Sequence, residues 1–221
     1  MHSHDIYVGG AAQCALLRRP RAMGNLCMPA ERPLQAVAYL DLRRYSGRWW
    51  QVALLPNSFQ SSDDFNVTAT YTPSETERNV INVLNESYNN AYERTWIAGR
   101  AVIDPVAAET DTTNRPGRLI VSFKPNETQP LVWPLGAPYW VIDIGDADNY
   151  GWAVVSEPRR RFLWILSRTP QLDSNTARDI LQRLVRVHGF PAKRLAHIIW
   201  TQNDVPDTVE PATPGGPSTY Q

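Results

Sequence analysis

Cysteine is scarce and badly placed for chemistry. Only Cys14 and Cys27 occur, both ahead of the first β-prone run, so neither can be a nucleophile inside a barrel built from later residues. They can pair with each other. No Cys-x-x-Cys spacing and no Cys/His cluster is present, so no zinc site and no cofactor is expected. The four histidines (His2, His4, His188 and His197) are scattered and read as surface or capping residues. Excess charge is missing too: Lys plus Arg and Asp plus Glu both total 22. A dedicated nucleic-acid binder needs net positive charge facing phosphates, which argues against such a partner. No apolar run reaches the roughly 20 residues of a spanning helix. A secretory signal is not expected, because the mildly apolar stretch 6–17 has His and Asp before it and Arg18, Arg19 and Arg21 after it.

Tryptophan, in contrast, is abundant, with eight copies. One stands in Gly47-Arg48-Trp49, at the mouth of an extended run. Gly47 lets the chain turn without a Cβ clash, and Trp49 is a large apolar plug with one N–H to satisfy. From there the chain breaks into β-like runs near 46–55, 65–72, 79–87, 92–103, 117–124, 138–144, 150–156 and 161–168. Asn, Pro, Gly and Asp cluster between them. Eight sequential strands with short connections suit an all-β, eight-stranded up-and-down antiparallel β-barrel, which leaves no exposed sheet edge. A helix follows, capped by Asp173 or Ser174, with Ala177, Ile180, Leu181, Leu184 and Val185 as an apolar stripe to pack on the barrel wall. Arg178, Arg183 and Arg186 take its other face, and Gly189 ends it. Residues 195–200 read as a short final strand. The expected division is an irregular N-terminal extension over 1–40, barrel plus helix over 41–202, and a Pro/Thr/Gly-rich disordered tail over 203–221.

Arg168 ends the eighth strand. In an up-and-down barrel, the start of strand one and the end of strand eight are neighbours at one end. Arg168 is then placed to lie over the Trp49 face, a cation–π contact worth about 0.5–2 kcal/mol. Tyr150, just after the turn between strands six and seven, falls at that same end. These three regions in this order, with the tracts Asn79-Val80-Ile81-Asn82 and 163–170, resemble a lipocalin, nearest the bacterial lipocalin and apolipoprotein D branch. The likeness spans roughly 40–202. Two departures stand out: the family's Thr-Asp-Tyr is Asp148-Asn149-Tyr150 here, and the barrel cysteines of many secreted members are missing. The resemblance implies a secreted or extracytoplasmic protein, and the cysteine pattern leaves an intracellular one open.

Side chains alternate across a strand, so one anchored residue sets a whole face. With Arg168 turned inward, Leu166, Trp164 and Phe162 follow; from Trp49, Gln51 and Ala53 follow. Pattern and family likeness add Val67, Ala69 and Tyr71, then Ile97, Gly99 and Ala101. Leu119, Val121 and Phe123, with Tyr139 and Val141, complete the expected ligand-binding wall. A one-residue slip in strands two, three or six would reverse those faces. Small residues on some strands and aromatics on others suit an apolar calyx that holds one small ligand.

At the open end, the fifth-strand loop carries the apolar run around Trp133, a patch of the kind that contacts a lid, a membrane or a partner. The seventh-strand loop carries Arg159, Arg160 and Arg161, placed to meet a carboxylate or anionic headgroups. Three sequons at Asn66, Asn85 and Asn126 fall toward the same end, where sugars would crowd the mouth. The favoured function is non-enzymatic carriage of a small lipophilic molecule such as a fatty acid, lysophospholipid or pigment. The rivals are a lipid isomerase or synthase, for which Asp143 is the one inward acid on offer, and a protein-interaction or peripheral membrane module. Family members also dimerise through open-end loops, so the expected state is a monomer or homodimer.

Overall fold

The β-prone runs separated by turn chemistry do pair as a meander. A computed structural model of the protein describes residues 32–77, 79–105, 116–123, 136–145 and 150–203. Cys14, Cys27, Asn126 and Trp133 lie outside the described residues. A single helical turn, α1 (Leu42–Tyr45), is capped by Asp41, whose carboxylate accepts from the amides of Arg43 and Arg44. The strands follow as β1 (Gly47–Leu54), β2 (Phe65–Pro73), β3 (Val80–Tyr88) and β4 (Arg94–Ile103). Then come β5 (Arg118–Ser122), β6 (Ala137–Ile144), β7 (Trp152–Ser156) and β8 (Leu163–Ser167). All neighbours are antiparallel. The barrel closes because β1 pairs with both β2 (Trp49 opposite Ala69) and β8 (Gln51 opposite Leu166).

The helix α2 (Ser174–Arg186) begins at Asp173, whose carboxylate accepts from the amides of Asn175 and Thr176. It ends where Gly189 enters the left-handed region at φ +70°. Its Ile180 and Leu184 are buried with Val52, Ala53, Ile142, Val154 and Ile165, forming a core between helix and outer barrel wall. Val185, expected on the packed stripe, is exposed instead. Residues 195–198, expected to begin the final strand, also depart from expectation. Pro191 starts a short turn, α3 (Ala192–Leu195), so the last strand β9 is only Ile199–Trp200.

β9 has a particular job. β2 carries a bulge between Phe65 and Thr68, where Asn66 sits at φ +49°. At and before the bulge β2 does not pair with β1, whose pairing with it ends at Trp50 opposite Thr68. β9 fills the gap by pairing with Ala53 and Leu54, while the Asn66 amide donates to Gln202 O at 2.9 Å. The segment 32–40 has no regular secondary structure: Leu34 packs in the helix-side core outside the barrel, and the residues after it reach the opposite end, where β5 begins and β6 finishes. There Val37 bonds both Gly117 and Val141, and Leu40 is buried in the inner core. One end is therefore plugged and the other open.

Candidate functional site

The alternation of the strands leaves a cavity of about 1340 Å³ inside the barrel, open at the end where β1, β3, β5 and β7 finish. Ala69 and Tyr71 of β2, Ile97 and Ala101 of β4, and Leu119 and Val121 of β5 face it as expected. Gln51, Phe123, Tyr139, Phe162, Trp164 and Leu166 complete the anticipated wall. Three expected residues are placed differently. Ala53 faces outward into the helix-side core, because a bulge at Val52 shifts the register between Gln51 and Ala53 and turns the strand over. Val141 points inward but belongs to the packed floor below the cavity. Gly99 is roofed by the Phe123 ring, so close that a Cβ there would lie 2.6 Å from both the ring and the Ser122 carbonyl.

The floor is built from the two ends of the barrel chain. The Arg168 guanidinium lies 3.7 Å from the centroid of the Trp49 ring. It donates to three backbone carbonyls: Arg44 at 2.7 Å, Ser46 at 3.0 Å and Arg48 at 2.8 Å. Gly47, at φ +94°, makes the turn that brings these carbonyls together. The Trp49 indole N–H donates to Tyr45 O at 2.7 Å. The Tyr150 hydroxyl accepts from the Asp41 amide at 3.2 Å, tying the turn after β6 to the α1 cap.

Above Trp49 stands a group of tyrosines that sequence reasoning only half found. Tyr45 stacks against Trp49 with centroids 5.1 Å apart. Its hydroxyl shares a 2.7 Å hydrogen bond with Tyr139, which shares another of 2.8 Å with Tyr71. All three border the cavity. Burial pushes all three phenols up, Tyr71 to about 12, so they remain protonated. Tyr45 was missed because α1 is too short to show a period; the capping Asp41 four residues earlier is its only sequence signal. Asn85, opposite Ala69, was also missed: its Oδ1 faces the cavity region without a partner.

The mouth is aromatic on one side. Phe59 packs edge-on against Phe162 at 5.2 Å and near Trp164 at 6.0 Å. Gln60 bridges inward: its Nε2 donates to Gln51 Oε1 at 3.0 Å, and Gln51 in turn donates to Thr201 Oγ1 at 3.0 Å. Arg159 and Arg161 line the mouth; Arg161 pairs with Glu157 and lies over the Phe162 ring. Arg160 does not join them. At φ +56° its side chain turns out of the mouth and is buried, donating to His188 O at 2.7 Å and to Arg32 O.

Asp143 is likewise not an inward acid. A bulge between Val141 and Asp143 turns it to the outside, where Arg183 grips both carboxylate oxygens at 2.7 Å. His188 Nε2 lies 3.0 Å from Oδ2, so His188 is a buried partner rather than a surface residue. Burial pushes the Asp143 carboxyl up, but the hydrogen bonds from His188 and Arg183 outweigh it and hold the group below its usual range. Two of the sequons are also poor acceptors for a sugar. Asn66 is 8% exposed, and a glycan on Asn85 would have to occupy the barrel.

The lipocalin-like domain family matches residues 40–200. The chain belongs to the lipocalin family. This lipocalin is 32% identical to temperature-induced lipocalin-1 of Arabidopsis thaliana over 170 residues, covering 76% of this chain and 83% of that one. It is 30% identical to outer membrane lipoprotein Blc of Vibrio cholerae, with 79% and 91% coverage, and 29% identical to mouse apolipoprotein D, with 64% and 69%. Among solved structures it resembles insecticyanin of the tobacco hornworm Manduca sexta with a TM-score of 0.56 at 20% identity, covering 79% of this chain and 85% of that one. The fold is thus the lipocalin fold, and lipocalins bind small hydrophobic ligands.

Proposed function

We propose that this lipocalin holds one small lipophilic molecule, of the size of a fatty acid, a lysophospholipid or a pigment, inside its barrel and releases it unchanged. The observation that carries the reading is the apolar-walled cavity of about 1340 Å³, open at one end. Ligand pockets run to roughly 300–1000 Å³, so there is room for a long chain and some slack. Binding would be driven by removal of apolar ligand surface from water, at about 25 cal/mol per Å² before ordering costs. The two acids that line the mouth among the described residues support a binder over a catalyst. Glu86 is paired with Arg94, and Glu157 accepts from the amides of Arg159 and Arg161, so each is held by other groups rather than poised as a base. The outer-membrane lipoproteins among the relatives favour an extracytoplasmic location.

Delipidated protein is titrated with hexadecanoic acid and with a lysophospholipid while tryptophan emission is followed, since Trp164 lines the cavity. Saturable quenching is expected, and its loss in Ala69→Trp, which fills the cavity from a wall position, with no loss of thermal stability. Unchanged emission in the wild type, with nothing retained in native mass spectrometry, would overturn the reading.

A further inference from the structure

The cavity floor carries a hydrogen-bond donor with no acceptor. Tyr45, Tyr139 and Tyr71 bring three hydroxyl protons to one place, yet only two hydrogen bonds link them, at 2.7 and 2.8 Å. However the protons are arranged, one O–H is left over. The described residues give it no other partner, and a buried donor left unpaired is costly. All three phenols stay neutral through burial, so the group offers a proton rather than a negative charge.

A second observation gives that donor a direction. Beneath Trp49, Arg168 spends its donors on three backbone carbonyls, not on a carboxylate. Its positive charge acts on the Tyr45 hydroxyl from below. The floor thus combines a free donor with an uncompensated positive field, and both favour an oxygen carrying partial negative charge.

Resting on the ligand-carrying reading above, we propose that this floor is a head-group site. The tyrosine triad donates one hydrogen bond to the terminal carboxyl or carbonyl oxygen of an unbranched acyl chain, which enters head first and lies with its tail toward the mouth. The opposite orientation is disfavoured on two counts. It presses a methyl end onto the unpaired phenol, and it places the head on Arg159, which is exposed to water, where an ion pair contributes little. The walls between floor and mouth are apolar: Val83, Ile97, Leu119 and Val121 suit a hydrocarbon tail. A lysophospholipid is a poor fit, because its phosphate stays ionised and would be stripped of water for a single hydrogen bond, whereas a carboxyl can take up a proton and accept that bond through its carbonyl oxygen while neutral.

Any single Tyr→Phe change leaves a spare O–H on the hydroxyls that remain, so the test removes all three. It compares hexadecanoic acid, hexadecanoyl lysophosphatidylcholine and the apolar dye N-phenyl-1-naphthylamine on the wild type and on the triple variant Tyr45→Phe/Tyr71→Phe/Tyr139→Phe. Hexadecanoic acid is expected to bind the variant about tenfold more weakly, a difference of about 1.4 kcal/mol, with dye affinity unchanged. The lysophospholipid is expected to bind the wild type more weakly than the acid and to ignore the substitutions. In the wild type, hexadecanoic acid labelled with ¹³C at the carboxyl should give a bound signal that neither titrates with bulk pH nor broadens with a soluble paramagnetic agent. An unchanged acid affinity in the folded variant, or a carboxyl signal that follows bulk pH, overturns head-first binding while leaving the cavity reading intact. Equal, triad-dependent binding of the lysophospholipid overturns the choice of ligand class. Absence of both dye and acid binding in the wild type overturns the cavity reading itself, and this inference with it. If the variant loses its near-UV circular dichroism, the wild-type carboxyl signal decides alone.

Discussion

Arg168 and Trp49, from the last and first barrel strands, meet with the guanidinium carbon 3.7 Å from the ring centroid, and the same guanidinium collects three carbonyls of the 44–48 turn. The contact is a clasp: one planar fork holds the carbonyls of the turn that leads from α1 into β1. Lysine keeps the charge but not the fork, so Arg168→Lys is not conservative here. The expected loss is about 2–3 kcal/mol from hydrogen bonds to a charged group, or roughly 5–10 °C in Tm for a chain of this size. Calorimetry checks it; a lysine variant melting with the wild type would show that the fork contributes nothing beyond its charge.

Gly99 tests the packing of the wall. A methyl group there would meet the Phe123 ring and the Ser122 carbonyl, each at 2.6 Å. The ring can swing into the cavity but the backbone carbonyl cannot, so Gly99→Ala should cost about 1–3 kcal/mol as an overpacking change. Combining it with Phe123→Ala should recover only part of that loss. Denaturant melts of the single and double variants measure the difference, and full recovery would assign the strain to the ring alone.

Asp143 should give the protein a dependence on acid. Its carboxyl is held below its usual range, so the Arg183 and His188 contacts stabilise the fold above the unfolded-state pKa of about 3.9. That contribution fades as pH falls through the lower folded value. Asp143→Asn should lose about 1–3 kcal/mol at pH 7, and the gap to the wild type should narrow from about pH 4 downward, first as the aspartate of the unfolded chain takes up its proton and then as the folded one does. Urea melts from pH 7 to pH 2 follow it; two parallel curves would exclude the carboxylate as the source.

Asn66 should stay bare. It is buried at the β2 bulge with φ +49°, a conformation that asparagine tolerates and β-branched residues do not. Protein made in a glycosylating host should carry no sugar at this position, by peptide mapping. Asn66→Val should cost about 1–3 kcal/mol in backbone strain, whereas Asn66→Gly should be close to neutral.

Most of the barrel was legible because its strands alternate with a period of two and are separated by strong turn residues. Phe162, Trp164 and Leu166 fall on the cavity side by parity alone. Two of the failures share one cause. Ala53 and Asp143 each follow a bulge, which inserts a residue and reverses the face of everything after it. Neither bulge has a glycine to betray it. Arg160 differs from its neighbours through a positive φ that no side-chain pattern reports, and its acceptors, Arg32 and His188, are distant in sequence. The tyrosine triad was hidden for a related reason: its members come from α1, β2 and β6, and only the closed barrel makes them neighbours.

The seam between β1 and β8 bears on how the protein is made. Until β8 leaves the ribosome, one edge of β1 has nothing to bond, and at 5–20 residues per second that interval is of the order of ten seconds. During it Trp50, Val52 and Leu54 belong to an open sheet with a sticky margin, the arrangement most prone to mispairing between nascent copies. Arg168 follows β8 directly, so the residue that latches the floor is delivered together with the strand that completes the wall.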